Sequence, residues 1–273
     1  MKKRYYSHIL SFFFLGLSIL TAIPLFVIYK EKVEINVVRG EDYNPKLHYL
    51  NSIDKIIDYA DSVYNYNSNN DFDLQGIDTA VYVSIVSDLI KKRFYFGLSN
   101  YNISQNWIAA LFGELFWPHL SAIVEPNDIL HYSEGLCSQQ TIVFMEILKK
   151  RGIKVRSVGL GKKEGPGHFL CEVYYRDSWR LHDVTKEPQW FKITNHHQSM
   201  DYYIHNKDSL YKVYENSLPK EDFNKLLEKI AYGKPNEFPA KNMLLFHQIT
   251  LILTYIIPLF FLLLFFISFN RRM

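Results

Sequence analysis

Two uninterrupted apolar runs bracket the chain, Ile9 to Tyr29 near the start and Ile249 to Phe269 near the end. Neither contains a charged residue, and each is long enough to cross the hydrocarbon core of a bilayer as a helix. Pro258 in the second run is tolerable inside a membrane helix. The first run also fits a signal peptide, but it exceeds the usual signal core and no clear Ala-x-Ala site follows, which favours an uncleaved anchor. Between the runs the pattern changes to spacings of three and four. Leu50, Ile53, Ile56, Ile57 and Ala60 predict a helix over 47–66, and Val81, Val83, Ile85, Val86, Leu89 and Ile90 predict another over 79–94, ending in Lys91, Lys92 and Arg93. Residues 31–41 read as a mixed strand or stalk and 65–73 as an Asn/Asp-rich loop. The segment 104–119 is apolar, with Trp107, Phe112 and Trp117, yet too polar and too short for a third span.

The next stretch carries the candidate chemistry. Ile142, Val143, Met145, Ile147 and Leu148 form a wide apolar stripe, with basic residues in the last turn and Gly152 as the terminating residue, so a helix begins at Cys137. A thiol there is favoured as thiolate, because the first N–H groups of a helix have no intrahelical acceptor. Alternation over 153–160 predicts a strand, and a Gly/Pro-rich loop over 161–167 leads to a second strand, His168 to Tyr175. A turn near Arg176-Asp177-Ser178 feeds a third strand ending at Asp183. With Asp177 and Ser178 as the loop, Asp183 lies opposite Glu172, on the face of His168; a three-residue loop would move it to the face of Cys171. One further helix is expected over 218–232.

Cys137, His168 and Asp183 are therefore the candidate catalytic residues. In such a triad the histidine takes the thiol proton and later gives it to the leaving group, while the aspartate orients the ring and favours its cation. Each residue has a plainer role to set against this: a Cys137–Cys171 disulfide, a structural histidine, and a turn or cap aspartate before Thr185. Metal binding is not expected, because His182, His196 and His197 have no helical i, i+4 partner and there is no Cys-x2-Cys pair. No cofactor motif stands out. On strand alternation His182 points away from Asp183 and reads as exposed.

At these residues the chain resembles the transglutaminase-like cysteine protein superfamily. The shared pattern is a cysteine opening a helix, a histidine in an H-x3-E-V-Y strand and an aspartate in a D-P-T-like ending. Here it is filled by Cys137, by His168 with Glu172, Val173 and Tyr174, and by Asp183-Val184-Thr185. Val184 stands where proline is frequent and Phe169 where Ala-Trp often follows the histidine. The resemblance covers about fifty residues strongly. It implies an α+β fold: a transglutaminase-like (papain-like) core of helices packed on a small antiparallel sheet. It also implies acyl transfer or hydrolysis at amide or ester bonds of a peptide or other amide-bearing substrate, or else a catalytically idle binding or assembly module of a cell-envelope or exopolysaccharide system. A tryptophan upstream of the cysteine can serve the oxyanion in transglutaminases, which makes Trp107 a candidate, with Tyr132, Gln139 and Gln140 as rivals.

Charge sets the orientation and excludes one class of partner. The formal charge of +3 hides +5 at the two tips (Lys2, Lys3, Arg4, Arg271, Arg272), which leaves −2 for the remainder and no electrostatic basis for nucleic-acid binding. By the positive-inside rule both ends lie in the cytoplasm, although Lys30, Lys32, Lys234 and Lys241 compete. The expected organisation is a cytoplasmic tip and first transmembrane helix over 1–29, an extracytoplasmic domain over 30–242, and a second transmembrane helix with a basic tail over 243–273. The lipid bilayer is then a partner, with envelope proteins as further candidates. His247 and Gln248 read as interfacial residues.

Overall fold

The computed structural model describes residues 2–26, 42–68, 78–162, 167–185, 197–215 and 218–270. The expectations for 31–41, 69–73, 163–166, His196 and the Arg271-Arg272 tail lie outside them. The described residues are a mixture of helices and one small antiparallel sheet, and the chain divides into two compact units that do not follow chain order. One unit takes Val33–Ser99 and Val124–Pro239; the other takes Met1–Lys32, Asn100–Ile123 and Ala240–Met273.

In the first unit, helices α2 (Ile53–Ser68) and α3 (Thr79–Arg93) follow a 3-10 turn at Pro45–Tyr49. Most of the positions that repeat at three and four bury (Leu50, Ile53, Ile56 and Ala60, then Val83, Val86, Leu89 and Ile90), whereas Ile57 and Ile85 are half-buried and Val81 is exposed. Arg93 closes α3 after Lys91 and Lys92. It is fully buried, its guanidinium donating to the carbonyls of Leu50 (3.2 Å), Tyr132 (2.9 Å) and Leu130 (2.6 Å), so one planar fork satisfies acceptors from two separate loops.

After the short helix α5 (Pro126–Ile129) comes α6 (Cys137–Lys150). At its end Gly152 has φ 72, the left-handed backbone that glycine adopts without strain, and the N–H groups of Gly152 and Ile153 close back onto Lys149 and Leu148. The sheet runs β3-β2-β1-β4, all neighbours antiparallel, with β1 at Val155–Gly161, β2 at His168–Tyr175, β3 at Ser178–His182 and β4 at Lys229–Tyr232. β4 corrects the expectation of a helix over 218–232. The helix stops at Leu226, and Lys229–Tyr232 pairs with β1 from Val158↔Tyr232 to Gly161↔Lys229. Four residues hold too little periodicity to announce a strand whose partner lies some seventy positions away. Val158, Leu160, Leu170 and Leu181 on one face of the sheet pack with Met200, Tyr203, Leu210, Tyr214, Phe223 and Leu226 from α7 (Met200–His205), α8 (Lys207–Tyr214) and α9 (Lys220–Leu226). The other face carries Cys171 and His182, and the Phe144 ring of α6 lies 6.0 Å from that of His182.

In the second unit α1 (Lys2–Ala22, continued by a 3-10 turn Ile23–Phe26) runs along α10 (Lys241–Asn270). Ser18 Oγ donates to the carbonyl of Pro258 (2.8 Å), and Ser11 and Ser268 share a hydroxyl contact of 2.8 Å. Small hydroxyl residues of this kind let apolar helices approach and hydrogen-bond. Both helices are long and apolar enough to cross a membrane. Residues Asn100–Ile123, placed by the sequence within the central domain, cluster with these two helices and supply α4 (Ile103–Leu115). His247 is buried, its Nε2 2.9 Å from the Leu120 carbonyl and its ring edge-on to Tyr101 at 4.9 Å.

Candidate functional site

The site is assembled at the start of α6 and the start of β2. Cys137 is the first residue of α6, where its own N–H has no intrahelical acceptor. Gln139 fixes that end: its Oε1 accepts from the N–H of Leu136 (3.1 Å) and of Ser99 (3.0 Å), and its Nε2 donates to the Ser99 carbonyl (2.7 Å). One turn on, Thr141 Oγ1 donates to the carbonyl of Phe169 (3.2 Å), which ties α6 to the residue after His168. The Cys137 sulfur accepts from the Phe169 N–H and is hydrogen-bonded to the His168 ring.

The β2–β3 hairpin delivers the aspartate. Its two-residue loop is Arg176-Asp177, with φ 50 and 57, and Tyr175 pairs with Ser178. The expected loop was Asp177-Ser178, so each β3 residue sits two positions further toward the start of β2 than expected. An even shift preserves the face. Asp183, one residue past the last pair, therefore stays on the His168 face and comes opposite Leu170, not Glu172. His168 Nε2 and Asp183 Oδ2 are 2.6 Å apart, which leaves Nδ1 as the nitrogen for sulfur.

Asp183 is buried and fully engaged. Its Oδ1 accepts from the Thr185 hydroxyl (2.7 Å) and N–H (3.2 Å), while Oδ2 accepts from the Tyr214 hydroxyl (2.5 Å) as well as from His168. The turn-forming and ring-orienting roles weighed for this aspartate thus coexist, one on each oxygen. Tyr214 was not a sequence candidate. It closes α8, 31 residues beyond its partner, and nothing local in the sequence marks it.

Electrostatics favour a charged pair. Burial pushes the Cys137 thiol up, but the His168 hydrogen bond and charge and the Phe169 N–H outweigh it and bring the thiol below its ordinary value. Burial disfavours the His168 cation, yet the charge and hydrogen bond of Asp183, with the sulfur, raise its pKa to about 10. For Asp183, burial is outweighed by His168, Thr185 and Tyr214, which hold the carboxyl well below the usual carboxylate range. Burial and the Asp183 charge push the Tyr214 phenol well above its ordinary value, so it acts as a hydrogen-bond donor.

No family model, no curated protein and no solved structure matches the chain. The site therefore stands on its own geometry.

Several neighbouring residues have structural uses. Glu172, the glutamate of the H-x3-E stretch, is buried, ion-paired with Arg156 at 2.6 Å and accepting from the Met200 N–H at 2.7 Å. His182, expected to be exposed, is buried: its ring stacks on His197 at 4.0 Å, and burial lowers its pKa to about 3, so it is neutral at physiological pH. Strand alternation does turn it from Asp183, but that side of the sheet is covered too. Neither Cys137, which is half-buried, nor Cys171, which is buried, is in a disulfide. Among the described residues no group of three or more His, Cys, Asp or Glu side chains is placed to hold a metal. Of the oxyanion rivals, the Gln139 amide is occupied as above and Gln140 Nε2 donates to the Gly135 carbonyl (2.8 Å). A cavity of about 780 Å³ elsewhere in the unit, lined by Tyr59, Val63, Val81, Ile85, Arg176 and Arg180 among others, includes none of the three candidate residues.

Proposed function

We propose that the protein is a membrane-anchored, transglutaminase-like cysteine enzyme that transfers or hydrolyses acyl groups at amide or ester bonds. The observation that carries this is the chain of contacts from a half-buried thiol at a helix start, through His168, to a buried and fully hydrogen-bonded Asp183. The Cys137 thiolate adds to the carbonyl carbon, forming a C–S bond. The Cys137 N–H is a donor for the oxygen that becomes negative. As the C–N or C–O bond breaks, the His168 imidazolium gives its proton to the departing amine or alcohol, leaving a thioester. Water or an acceptor amine then attacks the thioester, His168 takes the proton from it, and the C–S bond breaks. Asp183 holds the ring in one orientation and stabilises its cation.

With Cys137 and Cys171 not joined in a disulfide, one feature that would favour an idle binding module is gone, since that bond would have silenced the nucleophile. The apolar helices support a two-pass anchor, and the basic tips support cytoplasmic ends with the cysteine-bearing unit outside.

The test is alkylation of the full-length protein by iodoacetamide across pH. Labelling at Cys137 should proceed well below the ordinary thiol pKa and fall at least about tenfold at pH 7 in His168→Ala, because without its imidazolium partner the thiol returns to an ordinary pKa of about 8.5 or above, where only about 3% is thiolate at pH 7. Cys171 is buried and should stay unlabelled, so a small-molecule thiol in the same buffer supplies the reference rate. Wild-type Cys137 labelling no faster than an unperturbed thiol would exclude an activated nucleophile and leave the binding-module alternative.

A further inference from the structure

We propose that α4 and the two residues after it, Ile103 to Trp117, form a lipid-embedded surface. It would lie flat in the boundary between acyl chains and headgroups of one leaflet, a placement that rests on α1 and α10 being membrane spans. Helix α4 is apolar on opposite sides. On one side Ala109 and Gly113 are buried and Asn106 anchors the helix to α10: its Nδ2 donates to Thr250 Oγ1 (2.9 Å) and to the His247 carbonyl (3.3 Å), and its Oδ1 accepts from Thr254 Oγ1 (3.4 Å). On the other side Leu111 and Leu115 face outward, and Phe112, Phe116 and Trp117 continue the surface, with Leu115 at 63% and Phe116 at 71% exposure. A helix with apolar residues on opposite sides needs an apolar medium on the side its protein neighbours leave open.

The medium is identified by what this surface continues. The outward faces of α1 and α10 are themselves exposed and apolar, with Phe12 and Phe13 on one and Ile256, Leu259 and Phe260 on the other. α4 touches the 3-10 turn Ile23–Phe26 that ends α1, and bonds to α10 within its first half. It thus sits at the end of the helical pair where the chain leaves the apolar zone. Ile103–Leu115 is kinked at Asn106 (φ −148, ψ 80), and even a straight helix of its thirteen residues would reach only about 20 Å, too short to span a bilayer. Both of its ends are polar: Asn102 caps the start with Gln105 reciprocating, and Pro118 and His119 follow Trp117. Glu114 is the lone charge from 103 to 117. An exposed tryptophan at the rim of such a stretch suits the headgroup level, where an amphipathic ring has both media in reach. In that cap Asn102 Oδ1 accepts from the Ser104 and Gln105 N–H groups.

The test uses the full chain carrying Cys137→Ser and Cys171→Ala, reconstituted in phosphatidylcholine–phosphatidylglycerol vesicles, with one nitroxide label at Leu115→Cys, Phe116→Cys, Leu259→Cys or Lys220→Cys. Collisions with oxygen, which partitions into lipid, are compared with collisions with a water-soluble nickel chelate. Oxygen should dominate at 115, 116 and 259, and nickel at 220. Nickel dominating at 115 and 116 while oxygen dominates at 259 overturns the lipid-embedded surface and leaves the spans standing; nickel dominating at 259 as well removes the spans and this inference together. Spin–spin broadening at 115 that disappears on dilution with unlabelled protein assigns the surface to a second copy and also overturns it. A second measurement needs no cysteine changes. Lipids brominated near the glycerol end of their acyl chains should quench the native tryptophan fluorescence, and Trp117→Phe should reduce that quenching; unchanged quenching overturns the inference.

Discussion

Asp183 Oδ2 accepts from two donors with different duties, His168 and Tyr214. Removing the phenol hydroxyl while keeping the ring separates them. Tyr214→Phe should cost about 2 kcal/mol, the order of a hydrogen bond to a buried charge, measured by urea unfolding. It should leave Cys137 activated, because His168 still faces an ionised carboxylate. Asp183→Asn removes the charge and should move the onset of Cys137 labelling up toward, or beyond, the ordinary thiol pKa. The pH dependence of stability has a defined sign on each side. The depressed Asp183 carboxyl contributes stability that is complete above its unfolded pKa of about 4 and is lost as pH falls through the folded value. The His168 contribution is complete below about 6.5 and is lost as pH rises toward 10, partly offset by the depressed Cys137 thiol, which adds stability as pH rises. Unfolding free energies of wild type minus Asp183→Asn should therefore hold level between about pH 4 and 6.5 and shrink on either side, below pH 4 as Asp183 protonates and above 6.5 as the His168 contribution fades; a difference that persists into strong acid would contradict the ion pair. Cys137, His168 and Asp183 could be singled out in the sequence because their order and strand spacing constrain each other. Tyr214 could not, since only the docking of α8 onto the sheet brings it to the carboxylate.

Two elements hold the site in place, and each makes its own prediction. The β2–β3 turn puts Arg176 and Asp177 in left-handed backbone, where Asn-Gly is preferred in two-residue hairpins. Replacing the pair by Asn-Gly should stabilise the protein by up to about 1 kcal/mol, since it relieves two strained positions. It removes the Arg176–Asp78 contact of 3.1 Å, which is exposed and worth little. A lower melting temperature would refute this view of the turn. Arg93 works differently. Arg93→Met strips three buried carbonyls of their donor and should destabilise by about 3–5 kcal/mol, whereas Arg93→Lys, which retains charge without the fork, should recover only part of the loss. The helix end at Arg93 was visible from its periodicity, but its burial was not, because a Lys-Lys-Arg ending looks the same whether its last residue points to solvent or to a cluster of carbonyls. The strand β2 matched its expected bounds because eight residues rich in strand formers are flanked by glycine and a turn. β4 is half as long and leans on β1 for its existence.

At the scale of the molecule, the chain enters one compact unit, leaves it for a second, returns to it through Asn100–Ile123, and comes back again at Ala240. Hydropathy marks α1 and α10 without help from any other part of the chain. It does not mark α4 as their companion, because a short apolar helix reads alike in a protein core and beside a membrane span. The proposed topology has a direct consequence: tags at the two termini of vesicle-inserted protein should show the same protease sensitivity, opposite to that of a site introduced at Glu215, an exposed position in the cysteine-bearing unit. Termini of opposite sensitivity would rule out a two-pass anchor, and a Glu215 site that shares the termini's sensitivity would reverse the assigned orientation.

The linear pattern by itself determined the two long apolar helices, the helices α2, α3 and α6, the strand that begins at His168, and the order of Cys137, His168 and Asp183 along the elements, because each depends on periodicity or spacing within a few tens of residues. Tertiary structure alone decided which loop closes the hairpin, the fourth strand, the burial of Arg93, Glu172 and His182, and the second donor to Asp183. These depend on what packs against a residue from far along the chain, and a side chain carries no local record of the partner that will cover it.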